Sequence, residues 1–316
     1  MKVLCIGEAL IDMICTDVNV SLSSGQHFLK KAGGAPANVA AAIAALGGEV
    51  SMAAKVGDDP FGQHLIELLY TMGVNTSLII KDPHHFTTLA FVSLMNDGER
   101  DFYFNRGADK ELTMDDLAAL HLKDFQIIHF GSATAFLPGP LQATYIELLA
   151  KAKQAGCLIS FDPNYRHLLF QNNSASFISQ CGAFIERCNF FKLSDEEAFL
   201  ITGCDTVAMA ANALRKKTSA VFTITLGKEG TMLCIGDQIE IIKSIPVQPV
   251  DATGAGDAFV GAVLYQLNKR NVKDINLVSM EDWKTIISNA NKAGARTCEY
   301  MGAMEAFKHL NNSIFD

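Results

Sequence analysis

The sequence predicts an α/β fold: a doubly wound, mostly parallel sheet flanked by helices, with a small β-sheet lid. Three observations predict it. Short apolar runs recur along the chain and alternate with stretches of helical periodicity, the pattern of successive βα units. Two early stretches break this alternation with strand-like patterning. No linker rich in Pro, Gly or Ser and no internal repeat divides the 316 residues, so 1–316 reads as a single domain rather than the two that length alone suggests.

In chain order, residues 3–6 form a short apolar run ending at Gly7, as in a strand buried on both faces. The stretch 14–31 departs from the alternation, and 87–106 reads as a hairpin with arms at 88–95 and 101–104 and its turn at Asp97-Gly98. Together these two stretches are the expected lid, which either covers a site or serves as a structural flap. Buried strands follow at 127–130, 158–161, 190–193 and 221–226, with a helix over 141–154. Parallel sheets of this kind bind ligands beyond the carboxyl ends of their strands, which selects Asp162, Asn164, Ser194 and Gly227.

Composition narrows the partners. At 49% hydrophobic and 19% charged the chain matches folded globular proteins. Its net charge of −8 argues against nucleic acid and anionic membranes, which call for clustered cations, and favours a small-molecule ligand. The run 39–46 falls far short of the ~18 apolar residues of a membrane span. The apolar start is broken early by Glu8 and Asp12, unlike a secretory signal, so a cytoplasmic location is expected. Eight scattered cysteines without a C-x-x-C pair read mostly as buried free thiols. No histidine pair has metal-ligand spacing, and His84-His85 beside Pro83 read as solvated loop residues.

Two segments carry chemistry. In the first, 251–261, a glycine-rich turn leads into an apolar helix. The backbone N–H groups of Gly254, Ala255 and Gly256 at a helix start suit an anion such as phosphate. Asp257 in that first turn either caps the helix or acts as a general base on an alcohol beside a transferring phosphoryl group. In the second, 33–40, Gly33-Gly34 turns into an Ala-rich helix with Pro36 in its first turn. Asn38 there offers a donor and an acceptor for sugar hydroxyls, or the small face simply packs on the sheet. Neither a G-x-x-x-x-G-K-[ST] loop nor a complete G-x-G-x-x-G is present, and a G-x-S-x-G nucleophile elbow is also absent. Arg166 and Lys192 lie near strand ends. The guanidinium could meet phosphate oxygens or form a surface ion pair, and the lysine could offset nucleotide charge.

Both segments, with 7–12, 46–48, 56–62, 161–166, 192–197 and 225–230 in the same order, resemble the PfkB (ribokinase-like) carbohydrate kinases over nearly the whole chain. The Gly-Gly-Ala-Pro-Ala-Asn and Phe-Asp-Pro-Asn-x-Arg forms look most like fructokinases. The resemblance implies a ribokinase-like fold and transfer of the γ-phosphoryl group of ATP to a sugar's primary hydroxyl, with Asp257 as base and the Gly254 to Gly256 backbone as anion hole. It implies sugar contacts from Asp12, Gly33, Gly34 and Asn38, with Arg106 as a second sugar or phosphate contact. Thr225, Gly227 and Gly230 would border the nucleotide beside Lys192 and Ser194, and Asn291 the adenine. Mg²⁺ is implied with the polyphosphate, Glu197 organising it through water or only completing a capping box with Ser194. A K⁺ site at Asp251 and Thr253 is a further implication. Ribose, 2-keto-3-deoxygluconate or a nucleoside are alternative acceptors, and a non-catalytic sugar-binding protein is the alternative from another class. An exposed lid would suit a homodimer.

Overall fold

The computed structural model describes residues 2–94, 100–171 and 173–315. Strand β1 (Lys2–Ile6) sends Val3 and Cys5 into one apolar cluster and Leu4 and Ile6 into another, so both faces of its sheet need cover. The same alternation holds in β8 (Phe125–Phe130), β9 (Leu158–Phe161), β10 (Phe190–Ser194) and β11 (Val221–Thr225), which lie side by side and parallel to one side of β1. On the other side run β4 (Val50–Gly57) and β5 (Asn75–Asp82), also parallel. An antiparallel hairpin, β12 (Thr231–Ile235) and β13 (Gln238–Ile242), completes a nine-stranded sheet of order β13-β12-β11-β10-β9-β8-β1-β4-β5.

Helices cover each face. Residues of α1 (Ala35–Ala45), α2 (Pro60–Thr71), α8 (Ala255–Lys269), α9 (Met280–Thr297) and α10 (Ala303–Phe307) join the first cluster. Those of α3 (Pro140–Gln154), α4 (His167–Phe170), α5 (Ser174–Ile185), α6 (Asp195–Thr202) and α7 (Val207–Arg215) join the second. The direction of winding reverses between β1 and β8, which opens a crevice beyond their carboxyl ends. Over that end stands a second sheet of β2 (Leu10–Cys15), β3 (Phe28–Gly33), β6 (Leu89–Leu94) and β7 (Arg100–Asn105), in the order β3-β2-β6-β7.

The architecture is the expected one, with three differences of detail. The lid begins at Leu10 rather than 14, because Ile11 to Ile14 pair in parallel with β6, and residues 16–27 are not strand. The run expected to end at 226 ends at Thr225, where Leu226 turns its N–H to the Gly230 carbonyl to close a tight corner. Strands β4 and β5 carry no strong apolar run, since β4 is built from small residues under the helices. The hairpin arms β6 and β7 pair antiparallel, while the turn expected at Asp97-Gly98 lies outside the described residues. Among the described residues no helix is long and apolar enough to cross a membrane. All eight cysteines are free, six of them buried.

Candidate active site

The site is assembled by one helix packing. The small face of α1 lets α8 approach so closely that a Cβ on Gly261 would lie 2.8 Å from the Ala42 Cβ. Close approach brings Asn38, in the first turns of α1, to Asp257, in the first turn of α8. The Asn38 Nδ2 donates to Asp257 Oδ2 at 2.8 Å, and both residues are buried. Asn38 Oδ1 is buried without a partner among the described residues. The small face of 33–40 packs, and that packing brings the Asn38 amide to Asp257.

Gly33 and Gly34 end β3 and lead into α1. A Cβ on Gly33 would collide with the Asp12 carboxylate, and one on Gly34, at φ 104°, with the Glu8 carbonyl. At the other helix start, Gly254 is the N-cap of α8 at φ 81° and provides no side-chain cap. A Cβ there would collide with Ala303. Asp257 does not cap the helix; its carboxylate faces Asn38 instead. The N–H groups of Gly256 and Asp257 lie in the first turn, where a helix has no internal acceptor for them. That of Ala255 donates to the Ala252 carbonyl at 3.2 Å.

Below this helix start lies a charged layer. Lys192 Nζ on β10 is 3.2 Å from Asp162 Oδ2 at the end of β9 and 3.8 Å from Glu197 Oε2, and a Cβ on Gly256 would be 3.4 Å from it. All three ionisable groups are buried. The surrounding carboxylates hold Lys192 firmly cationic despite burial. Burial pushes Asp162 up, against the pull of that lysine. Burial likewise raises Asp257, opposed by the Asn38 hydrogen bond and the charges of Arg166 and Lys192. Asp12 on lid strand β2 is pushed up to about 6 by burial, again opposed by Arg166. The guanidinium of Arg166, itself exposed, thus acts on a carboxylate from the lid and one from α8.

Other expected residues are occupied by the protein itself. Arg106 donates to Asp109 at 3.2 Å and to the carbonyls of Thr134 and Pro138 at 3.0 and 2.9 Å, so it fastens the lid hairpin instead of standing open to a ligand. The Asn291 oxygen accepts from Thr231 and its amide donates to the carbonyls of Ile242 and Lys243, which ties α9 to the end of β13. Ser194 and Glu197 form the full capping box of α6, and the second Glu197 oxygen accepts from the Tyr165 N–H at 2.8 Å. Asp251 accepts from the N–H and hydroxyl of Thr253 and from Gly302 N. Thr225 closes β11 with its hydroxyl on the Leu193 carbonyl. Gly227, at φ 56°, starts the turn after it, and a Cβ on Gly230 would strike the Ile242 carbonyl.

A family model, pfkB family carbohydrate kinase, matches residues 1–310. The chain belongs to this family. It is 38% identical over 304 residues to Fructokinase-1 of Zea mays, covering 94% of this chain and 92% of that one. It is 36% identical to Probable fructokinase-2 of Arabidopsis thaliana, covering 95% and 91%. Among solved structures it resembles a fructokinase from Xylella fastidiosa with bound ATP, at TM-score 0.86, 28% identity and 99% and 96% coverage. A fructokinase from Vibrio cholerae O395 bound to fructose, ADP and calcium ion aligns at TM-score 0.84 and 29% identity, covering 99% and 97%. As a pfkB carbohydrate kinase the protein is a phosphotransferase with an alcohol group as acceptor.

Sequence reasoning selected two further residues near this site without giving them a role. Asn164, selected only as a strand-end residue, sits at φ 46° and accepts from Arg166 Nη2 at 3.3 Å, so the loop after β9 aims the guanidinium. Asp162 is the partner of Lys192. The strand-end rule points to both, but only the fold shows which charges meet.

Proposed function

We propose that the protein is a fructokinase that transfers the γ-phosphoryl group of ATP to a primary hydroxyl of fructose. The observation that carries this reading is the buried Asn38–Asp257 contact at an uncapped helix start. The hydroxyl of the acceptor would give its proton to Asp257 as its oxygen bonds to the γ-phosphorus. The bond from phosphorus to the bridging oxygen breaks, and that electron pair leaves with ADP. A base buried in this way has a pKa raised toward the working pH, which favours proton acceptance. The first-turn N–H groups of α8 and the Lys192 ammonium beneath them would receive charge developing on the phosphoryl oxygens.

Asp12, Gly33, Gly34 and Asn38 frame the acceptor, the free Asn38 Oδ1 being an acceptor for a sugar hydroxyl. Arg166 would meet the phosphoryl group or the sugar from the open side. Lys192, Thr225, Gly227 and Gly230 border the nucleotide. Mg²⁺ bound with the polyphosphate would neutralise its charge. Glu197, whose oxygens already serve Ser194 and Tyr165, would reach that ion only through water. Phe28, Phe91 and the exposed Tyr103, which share one face of the lid, support pairing of two copies there.

A panel of fructose, ribose, 2-keto-3-deoxygluconate and a nucleoside, read by ADP release, tests the acceptor. Fructose should give the highest kcat/KM, and fructose performing no better than the others overturns the assignment. Thermal stabilisation by fructose and MgATP without any ADP release would instead favour a binding protein.

A further inference from the structure

Glu8, 1% exposed at the carboxyl end of β1, has no part in the reaction described above. Donors from two segments nonetheless converge on its carboxylate. They are the N–H of Ala35 at the start of α1 (3.2 Å), the N–H of Ala133 (3.2 Å), the hydroxyl of Ser132 and the hydroxyl of Thr134 (3.4 Å). Thr134 Oγ1 also lies 2.8 Å from Asp109 Oδ2, and Asp109 is equally buried. Asp109 accepts in turn from Thr88 Oγ1 and from Arg106 Nε. Thr88 stands just before β6 and Arg106 just after β7, so these two are the feet of the lid hairpin. A continuous buried chain of polar contacts therefore runs from the start of α1 to the feet of the lid hairpin, with Thr134 Oγ1 in contact with both carboxylates.

We infer that Glu8, acting through Thr134, is a positioning residue for the acceptor site: it ties the start of α1, which carries Asn38, to the feet of the β6–β7 hairpin, against which the Asp12 strand β2 is paired. Packing alone would not call for acids here. Two buried carboxylates sharing a donor are costly, and apolar side chains of similar size would hold a static loop at least as well. The cost is visible in Glu8, pushed up to about 7 by burial, with the Asp109 charge adding to the effect and the Ser132 and backbone hydrogen bonds opposing it. The titratable and charged groups facing it are Asp109, Arg106 behind Asp109, and the Tyr145 hydroxyl, which accepts from the Ser132 N–H; Cys5 lies beyond Tyr145.

This inference rests on the sugar-kinase reading of the same site. It is tested by steady-state kinetics on wild type, Thr134→Val, Glu8→Gln and Glu8→Ala between pH 6 and 8, with KM for fructose and for MgATP determined separately. Thr134→Val, nearly isosteric, should raise the fructose KM about tenfold, the equivalent of one hydrogen bond to a charged group, with the MgATP KM nearly unchanged. Glu8→Gln keeps an acceptor for the Ala35 and Ala133 N–H groups and should recover part of the loss seen in Glu8→Ala. Wild type should change its fructose KM near neutral pH, and Glu8→Gln should lack that change. Equal shifts in both KM values, or variants that melt earlier with unchanged kinetic constants, would overturn the inference. Wild type that turns over ribose but not fructose would overturn only the sugar assignment, and the same comparison is then read with ribose.

Discussion

At the scale of single residues, the chemistry depends on where burial leaves a carboxylate. Asp257 is buried and raised, but its hydrogen bond from Asn38 and the positive charges of Arg166 and Lys192 keep its anion accessible. Asp257→Ala should keep thermal stabilisation by ligands yet lose about 10²–10⁴-fold in kcat, the usual worth of a general base. Retention of wild-type turnover would remove Asp257 from that role. Because the base must be deprotonated, wild-type activity should fall on acidification at a pH above the ordinary aspartate range. Asp12 gives a stability prediction. Its folded pKa of about 6 exceeds the ordinary 3.8, so the folded state binds that proton more tightly. The associated stability is present below the ordinary value and is lost as pH rises through 6. Asp12→Asn should therefore gain in Tm relative to wild type between pH 4 and pH 7, by the equivalent of about 2 kcal/mol. A difference that stays flat with pH would show that the carboxyl is not strained by burial.

At the scale of elements, the start of α8 separates two kinds of glycine. Gly254 combines φ 81° with a collision at Ala303, so Gly254→Ala should cost about 2–4 kcal/mol of stability, measured by denaturant unfolding, as well as turnover. A Cβ on Gly256 meets only the flexible end of Lys192, at 3.4 Å. Gly256→Ala should fold with near wild-type stability and show its defect in the KM for ATP. If both variants lost stability equally, Gly256 would be a packing residue and not part of a cradle. Element by element, strands with uninterrupted apolar runs, such as Leu158–Phe161, were legible because burial on both faces leaves no other pattern. Strand β4 was not, since Ser51, Ala53 and Ala54 pack by being small, and smallness has no period. The start of the lid was misplaced for a related reason: Leu10 to Cys15 become strand by pairing with β6, about eighty residues onward, a contact invisible to local patterning.

At the scale of the whole molecule, a chain of net charge −8 would have to meet an anionic substrate by local means. In the proposed site, helix-start N–H groups and a lysine held cationic by its neighbours would supply the field that composition lacks. The lid leaves Tyr103 exposed beside Phe91 and Phe28 on one face of its sheet. Sedimentation should show twice the chain mass, and Tyr103→Asp should shift it to a single chain; wild type sedimenting as a single chain would end the pairing proposal. By itself the sequence determined the layered α/β class, the two glycine-rich turns and the identity of Asp257 as the acid beside one of them, because these depend on residue type and near neighbours. Only the tertiary structure decided that Asn38 bonds Asp257, that Lys192 is held by Asp162 and Glu197, that Arg106 and Asn291 brace the protein, and that Glu8 joins α1 to the lid. Each of those is a meeting of side chains brought together by packing from separate parts of the chain, and local periodicity carries no information about it.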